Sequence, residues 1–274
     1  MRKIAVVTTM SVAGWNQYGR NMVKTFDENW PAEVELYVYP DELVPDAVAS
    51  QRVHYLYPRI DARSAFISRM KNVPYANGRK DGPDAPYNYR FDAVKFCNKP
   101  YVVDHFVNHV NLARETPFDG VVWLDADTIT HTKIPMSMIY NELCPITSDI
   151  CYLGRRDKYS ECGMIYFNLN SVSAPKCISD WAGTFTYGEC FSFPEWHDCV
   201  MFDLVLERVM KEQPLSRFTS WTDFDRKSGG GHPFNASFAG AYMVHNKGTR
   251  KVTGPKKKDN PAGHTAKYWK KHGI

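Results

Sequence analysis

Short apolar runs set the pattern at the start of this chain. Lys3–Thr9 is nearly unbroken in apolar character, as in a strand covered on both faces of a parallel sheet. Asn16–Asn29 follows with Met22, Val23 and Phe26 at helical spacing, and Trp30 lies just beyond. Val34–Tyr39 is a second run, closed by Pro40. Together they predict a strand–helix–strand unit and an α/β protein. Pro45–Asp84 breaks the pattern with Pro58, Pro74, Asn77-Gly78 and Asp81-Gly82-Pro83, which predicts mixed helix and a long, lid-like loop. Helices are expected over Arg90–Cys97 and Val102–Arg114, divided near Pro100. Val121–Leu124 predicts a strand that runs directly into Asp125.

The second half has a more antiparallel character. Ile150–Leu153, Met164–Leu169 and Phe238–Val244 predict strands, and Pro175–Phe185 and Trp196–Gln213 predict helices. Val200, Leu204, Val205 and Val209 make one apolar stripe on the last of these. Ser228–Gly231 reads as a joint. The expected fold class is α/β: a Rossmann-like mixed sheet flanked by helices in one compact domain. Residues 1–128 form its first functional half, 129–246 its second, and 247–274 a basic tail.

Charge changes this picture at one end. From His245 to Ile274 there are nine Lys/Arg against the single acid Asp259, or +8, while the rest of the chain holds 25 basic and 29 acidic groups, or −4. Such a tail suits phosphates, nucleic acid or another anionic surface. The seven cysteines are scattered, odd in number and without CxxC spacing, which excludes a zinc-knuckle or disulfide framework and predicts reduced, mostly buried thiols in a cytoplasmic protein. No stretch approaches the ~20 apolar residues of a membrane span.

The chemistry starts in VVWLDADTIT. A strand delivers Asp125 and Asp127, two residues apart, at its carboxyl end, where open α/β sheets bind ligands. Paired carboxylates are costly unless a cation joins them. A hard divalent cation held there could neutralise a departing diphosphate. Alone, D-x-D is common in solvated loops. A second motif lies 118 residues beyond Asp127, in YMVHNKGTRK. There His245 can supply a third metal ligand, Gly248 permits close backbone approach, and Lys247 or Lys251 can meet phosphate charge.

LDADT resembles the D-x-D of GT-A glycosyltransferases. His245-x-x-Gly248-x-x-Lys251 resembles the C-terminal motif of the glycogenin-like family, although Val252-Thr253 stand where that family usually has Pro-Trp. FDAVKF, EWHD, HPFN and AYMVHNKG look similar to small soluble GT-A proteins encoded by bacteriophages and some bacteria. The resemblance implies a metal site of Asp125, Asp127 and His245, holding Mn2+ or Mg2+, with the imidazole favouring Mn2+. It places Gly248 and Lys251 on the donor diphosphate, and Thr8, Thr9 and a stacking Tyr18 near the nucleotide, with a core position as the alternative for Tyr18. Arg90, Asp92 and Lys95 resemble a segment whose Arg touches the donor; a surface ion pair is the alternative for them. Glu161 and Asp198 are the acidic candidates near donor sugar and acceptor, Asp198 alternatively as a helix cap.

The implied function is transfer of a sugar from a nucleoside diphosphate donor, a UDP-sugar favoured, to an acceptor hydroxyl. The tail favours a hydroxymethylated base in phage DNA; a glycan, lipid or protein hydroxyl is the alternative. Rival classes are a D-x-D phosphatase, a nucleotidyltransferase and a non-catalytic nucleic-acid-binding protein. The first lacks its later acidic pair, the second its Gly-rich basic loop, and the third leaves the acidic pair unexplained.

Overall fold

A computed structural model describes residues 2–155, 158–222 and 232–248. The expected joint at Ser228–Gly231, Lys251 and all of the basic tail beyond Gly248 lie outside the described residues. The chain divides into two compact units. The first comprises Met1–Tyr57, Phe118–Asn170 and Arg217–Ile274, and the second Pro58–Pro117 and Ser171–Ser216. Both draw on residues from each of the two expected halves.

The first unit is α/β, as the sequence predicts. Its strands are β1 Ile4–Met10, β2 Glu35–Pro40, β3 Val53–Tyr55, β4 Gly120–Leu124, β5 Thr128–Thr130, β6 Ile150–Leu153, β7 Glu161–Asn168, β8 Phe218–Ser220 and β9 Met243–His245. Seven of them form a mixed sheet in the order β3-β2-β1-β4-β7-β6-β8, a Rossmann-like arrangement. β1 pairs in parallel with β2 on one side and β4 on the other. The strand order therefore reverses at β1/β4, and the crevice beyond their carboxyl ends is the usual ligand position of such sheets. β7 runs antiparallel to β4 and β6, which accounts for the change of character in the second half. β4 is buried at every residue and β1 at all but Thr9. The apolar runs have no polar alternation because both faces are covered.

β5 and β9 make a separate antiparallel ribbon, Thr128 opposite His245 and Thr130 opposite Met243. The helix Arg20–Asn29 buries Met22, Val23, Thr25 and Phe26, and it anchors β5. The Asn29 side-chain amide donates to the Thr130 carbonyl (2.9 Å), Trp30 Nε1 donates to Thr130 Oγ1 (2.9 Å), and the Thr130 amide donates to Thr25 Oγ1 (3.2 Å). A π-helical turn, Trp15–Gly19, precedes this helix.

The second unit is helical among its described residues. Asp61–Met70, Asn98–His105, Ser173–Thr186 and Asp198–Glu212 are its longer helices. Rings fill its interior: Phe66 meets Phe185 edge-on at 5.8 Å, and Trp181 meets Phe202 at 5.3 Å.

Three expectations need correction. Pro100 does not divide a helix; it lies in the first turn of Asn98–His105, where its missing N–H costs nothing. Of the expected last strand Phe238–Val244, Met243 and Val244 are in a strand, which runs on to His245. Phe238–Ala241 is a 3-10 turn, started by Ser237 Oγ accepting from the Ala239 amide. The segment Pro45–Asp84 holds the expected helix, Asp61–Met70, and loop, but also the unexpected strand β3. No described helix is long and apolar enough to cross a membrane, and all seven cysteines are buried and free.

Arg52 closes the C-terminus of Arg20–Asn29. Its guanidinium donates to the carbonyls of Phe26, Asp27, Trp30 and Pro31 and pairs with the Asp27 carboxylate at 3.0 Å. The Phe26 carbonyl also accepts from the Trp30 amide and the Pro31 carbonyl from the Val34 amide, so the guanidinium reinforces a helix end that the backbone has begun to close. Arg52→Ala should lower stability by about 3 kcal/mol in urea unfolding, and Arg52→Lys should recover little of it, because an ammonium cannot span the same acceptors.

Candidate metal centre

β4 carries the chain to Asp125, and the geometry there is fixed from several sides. The Asp125 amide donates to the Gly163 carbonyl (2.9 Å), extending the β4–β7 pairing by one bond. Asp125 Oδ1 accepts from Trp123 Nε1 (2.7 Å), which leaves Oδ2 facing the ribbon. The Thr128 amide donates to the Asp125 carbonyl (3.1 Å), turning the chain into β5. From the other strand, the Asn246 amide donates to the Asp127 carbonyl (2.9 Å), and the His245 amide donates to Asn235 Oδ1 (2.8 Å).

The ribbon thus sets His245 against both carboxylates. Its Nε2 is 2.8 Å from Asp127 Oδ1 and 3.5 Å from Asp125 Oδ2. Exposure falls from 22% at the Asp125 side chain to 10% at Asp127 and 1% at His245. One donor atom from each lies within 4.8 Å of the others. The contacts to His245 are close without being aligned as hydrogen bonds: both of its ring nitrogens lack a hydrogen-bond partner. Thr128 Oγ1, Asn235 Nδ2 and Asn246 Oδ1, on residues joined to it through the backbone, are buried without one as well. Buried polar atoms rarely go unsatisfied, and here they surround two carboxylates and an imidazole, a donor set suited to a divalent cation. Burial pushes His245 down, but Asp127 and Asp125 outweigh burial and hold its pKa above the ordinary value.

Behind His245 lies a second buried group. Glu161, the first residue of β7, accepts from Lys247 Nζ at both oxygens (2.9 and 3.1 Å), and His232 Nε2 stands 3.3 Å from Oε2. Burial would raise the Glu161 carboxyl, but Lys247, then His232 and His245, overcome this and hold it well below the usual carboxylate range. The His232 imidazole, pulled down mainly by burial, meets the His245 ring edge-on at 4.9 Å.

Gly163 sits between the two groups. A Cβ there would come within 2.7 Å of His245 Cε1 and 2.8 Å of Nδ1. Both atoms belong to a fully buried ring, so a methyl group there would have to push that ring from its place. Gly248, at φ 65°, is left-handed, the conformation glycine accepts most easily.

The other expected residues have the following surroundings. Thr8 is buried in β1 with Oγ1 lacking a hydrogen-bond partner, whereas Thr9 spends its hydroxyl on the Tyr39 carbonyl (2.6 Å). Tyr18 packs on the core of the first unit, its hydroxyl close over Gly14. Arg90, Asp92, Lys95 and Asp198 belong to the second unit. Arg90 pairs with Glu195 at 3.1 Å. Asp92 caps Ala93–Phe96 through the Lys95 amide and also accepts from Tyr87 Oη (2.9 Å). The Lys95 ammonium lies over the Phe96 ring. Asp198 does not cap its helix; His197 holds that position, and the buried Asp198 carboxylate pairs with Lys99 at 2.6 Å.

Sequence reasoning passed over Gly163 as a ring support and His232 as a neighbour of Glu161. HPFN carried the signal for His232, since Asn235 in the same turn holds the His245 amide. No protein-family model matches the chain, and no curated protein is significantly similar to it.

Gly163→Ala should displace the His245 ring and weaken Mn2+ binding roughly 10–100-fold, as loss of an outer support does at metal sites. Calorimetric titration of Mn2+ into wild type and variant checks this; equal affinities would mean that His245 is not a ligand.

Proposed function

We propose that this chain is a metal-dependent glycosyltransferase of the GT-A type, moving a sugar from a nucleoside diphosphate donor to an acceptor hydroxyl. The observation that carries the reading is the convergence of Asp125, Asp127 and His245 beyond the carboxyl end of β4, beside the β1/β4 reversal. A divalent cation held by these three, Mn2+ favoured by the imidazole, would supply charge neutralisation for the departing diphosphate.

The chain's own residues supply the rest. Gly248 leaves the backbone after β9 open to close approach by a phosphate. Lys247, with 47% of its side chain exposed, rests on Glu161 and can swing its ammonium to the same phosphate. Thr8, buried in β1 with its hydroxyl lacking a partner, and Ser11, the cap of the helix that follows β1, are the groups offered to the nucleoside, and Lys251 adds a positive charge in the sequence after β9.

Neither acidic candidate makes a good proton acceptor. Glu161 is held ionised by Lys247, and Asp198 is paired with Lys99. A carboxyl held so far toward its ionised form as Glu161 gains little by taking the acceptor's proton, and Asp198 is occupied by the Lys99 ammonium. The leaving phosphate oxygen is the better acceptor, which favours a retaining transfer. Free thiols throughout fit a reducing compartment such as the cytoplasm. A UDP-sugar is the favoured donor. A hydroxymethylated base in DNA is the favoured acceptor on the +8 charge of His245–Ile274, with a glycan, lipid or protein hydroxyl as the alternative.

Calorimetry with UDP, GDP, CDP and ADP, each with and without Mn2+, tests the donor site. One diphosphate should bind only with Mn2+, and Asp127→Ala should abolish that binding. If none of the four shows metal-dependent binding, the transferase reading fails.

A further inference from the structure

A cleft of about 540 Å3 opens on the second unit, walled by parts of Asp61–Met70, Asn98–His105 and Ser173–Thr186. None of its lining residues belongs to the metal centre. Three of its four carboxylates are paired within the protein. Arg208 pairs with Glu189, Arg59 Nε lies 2.9 Å from Asp61 Oδ1, and Asp180 Oδ2 lies 2.7 Å from Lys176 Nζ. The lining holds Arg59 and Arg208 against Asp61, Asp104, Asp180 and Glu189, so its formal charge is negative. A phosphate or a nucleic-acid backbone would meet repulsion and would have to break an existing pair.

Other polar groups of the wall lie against one another. His105 and His109 lie ring against ring at 4.9 Å, and burial foremost pushes the His105 imidazole down, which keeps it neutral near pH 7. Asp104 accepts from Asn108 Nδ2 (2.9 Å), and the Tyr101 and Thr186 hydroxyls share a hydrogen bond (3.0 Å). Among the described residues, the imidazoles and carboxylates of this wall do not converge as a metal-ligand group. At the rim stands Tyr187, 87% exposed. Leaving so large a ring in water gives up the gain of burying it, and its face is open to a flat, weakly polar partner.

We infer that this cleft binds a neutral saccharide. Closely spaced donors and acceptors, with three of the four carboxylates already paired, match the vicinal hydroxyls of a sugar ring, and the Tyr187 ring suits the C–H face of a pyranose. The site is independent of the donor reading, because it requires neither metal nor nucleotide.

The test is saturation-transfer NMR on the full chain, without metal or nucleotide, using glucose, galactose, N-acetylglucosamine, maltose and lactose as separate probes. Tyr187→Ala removes an exposed ring, and Ser179→Trp fills the cleft from an exposed helix position; neither should disturb the fold. At least one sugar should give transfer, weakened about fivefold by Tyr187→Ala, the scale of one lost ring contact, and abolished by Ser179→Trp. Mn2+ binding should be unchanged in both variants. The inference is overturned if no sugar of the panel gives transfer, or if transfer survives both substitutions.

Discussion

Three residues of β5 paired with three of β9 hold the candidate site together. Register decides everything here: with Thr128 opposite His245, the imidazole points at Asp127 across a gap of 118 residues in sequence. A slip of one residue would turn His245 to the opposite face of the ribbon. So short a ribbon cannot fix its own register. Trp30, Asn29 and Thr25 pin β5 from the helix side, and Asn235 pins His245 from the other. The core of the first unit thereby positions the site, through groups that are not themselves ligands.

Electrostatics imposes the second constraint. Asp125, Asp127 and Glu161 bring three carboxylates close to one imidazole, and burying like charges together is unfavourable without compensation. Lys247 provides it for Glu161 from the residue pair that follows β9. Beside Asp125 and Asp127 stands His245, held above its ordinary pKa by these carboxylates. The two acidic groups are thus treated differently. One is sealed by a lysine, and the other is left with donor atoms close together and polar atoms around them unsatisfied, the condition of a site arranged for a cation.

Much of this was legible in the sequence, for physical reasons. β1, β2 and β4 are covered on both faces, so continuous apolar runs betray them, and the run into Asp125 marks a strand end where ligands bind. β3, β5 and β8 have three residues each, too few to show a period, and tertiary pairing alone makes them strands. Asp198 reads as a helix cap from its position; only the folded chain reveals Lys99 beside it. Gly163 carried no signal, because its importance lies in what a Cβ would strike, a ring brought there from the far end of the chain. Arg90 and Asp92 look like donor contacts beside a resemblance, yet an ion pair with Glu195 and a helix cap account for their present partners.

On the proposed reading, Asp125, Asp127 and His245 together hold one divalent cation. Anomalous diffraction near the manganese edge, from crystals soaked in Mn2+, tests it most directly. A single anomalous peak bonded to a carboxylate oxygen of each aspartate and to Nε2 of His245 is the predicted result. A peak on Glu161 and His232 instead, or none at the ribbon, would contradict it.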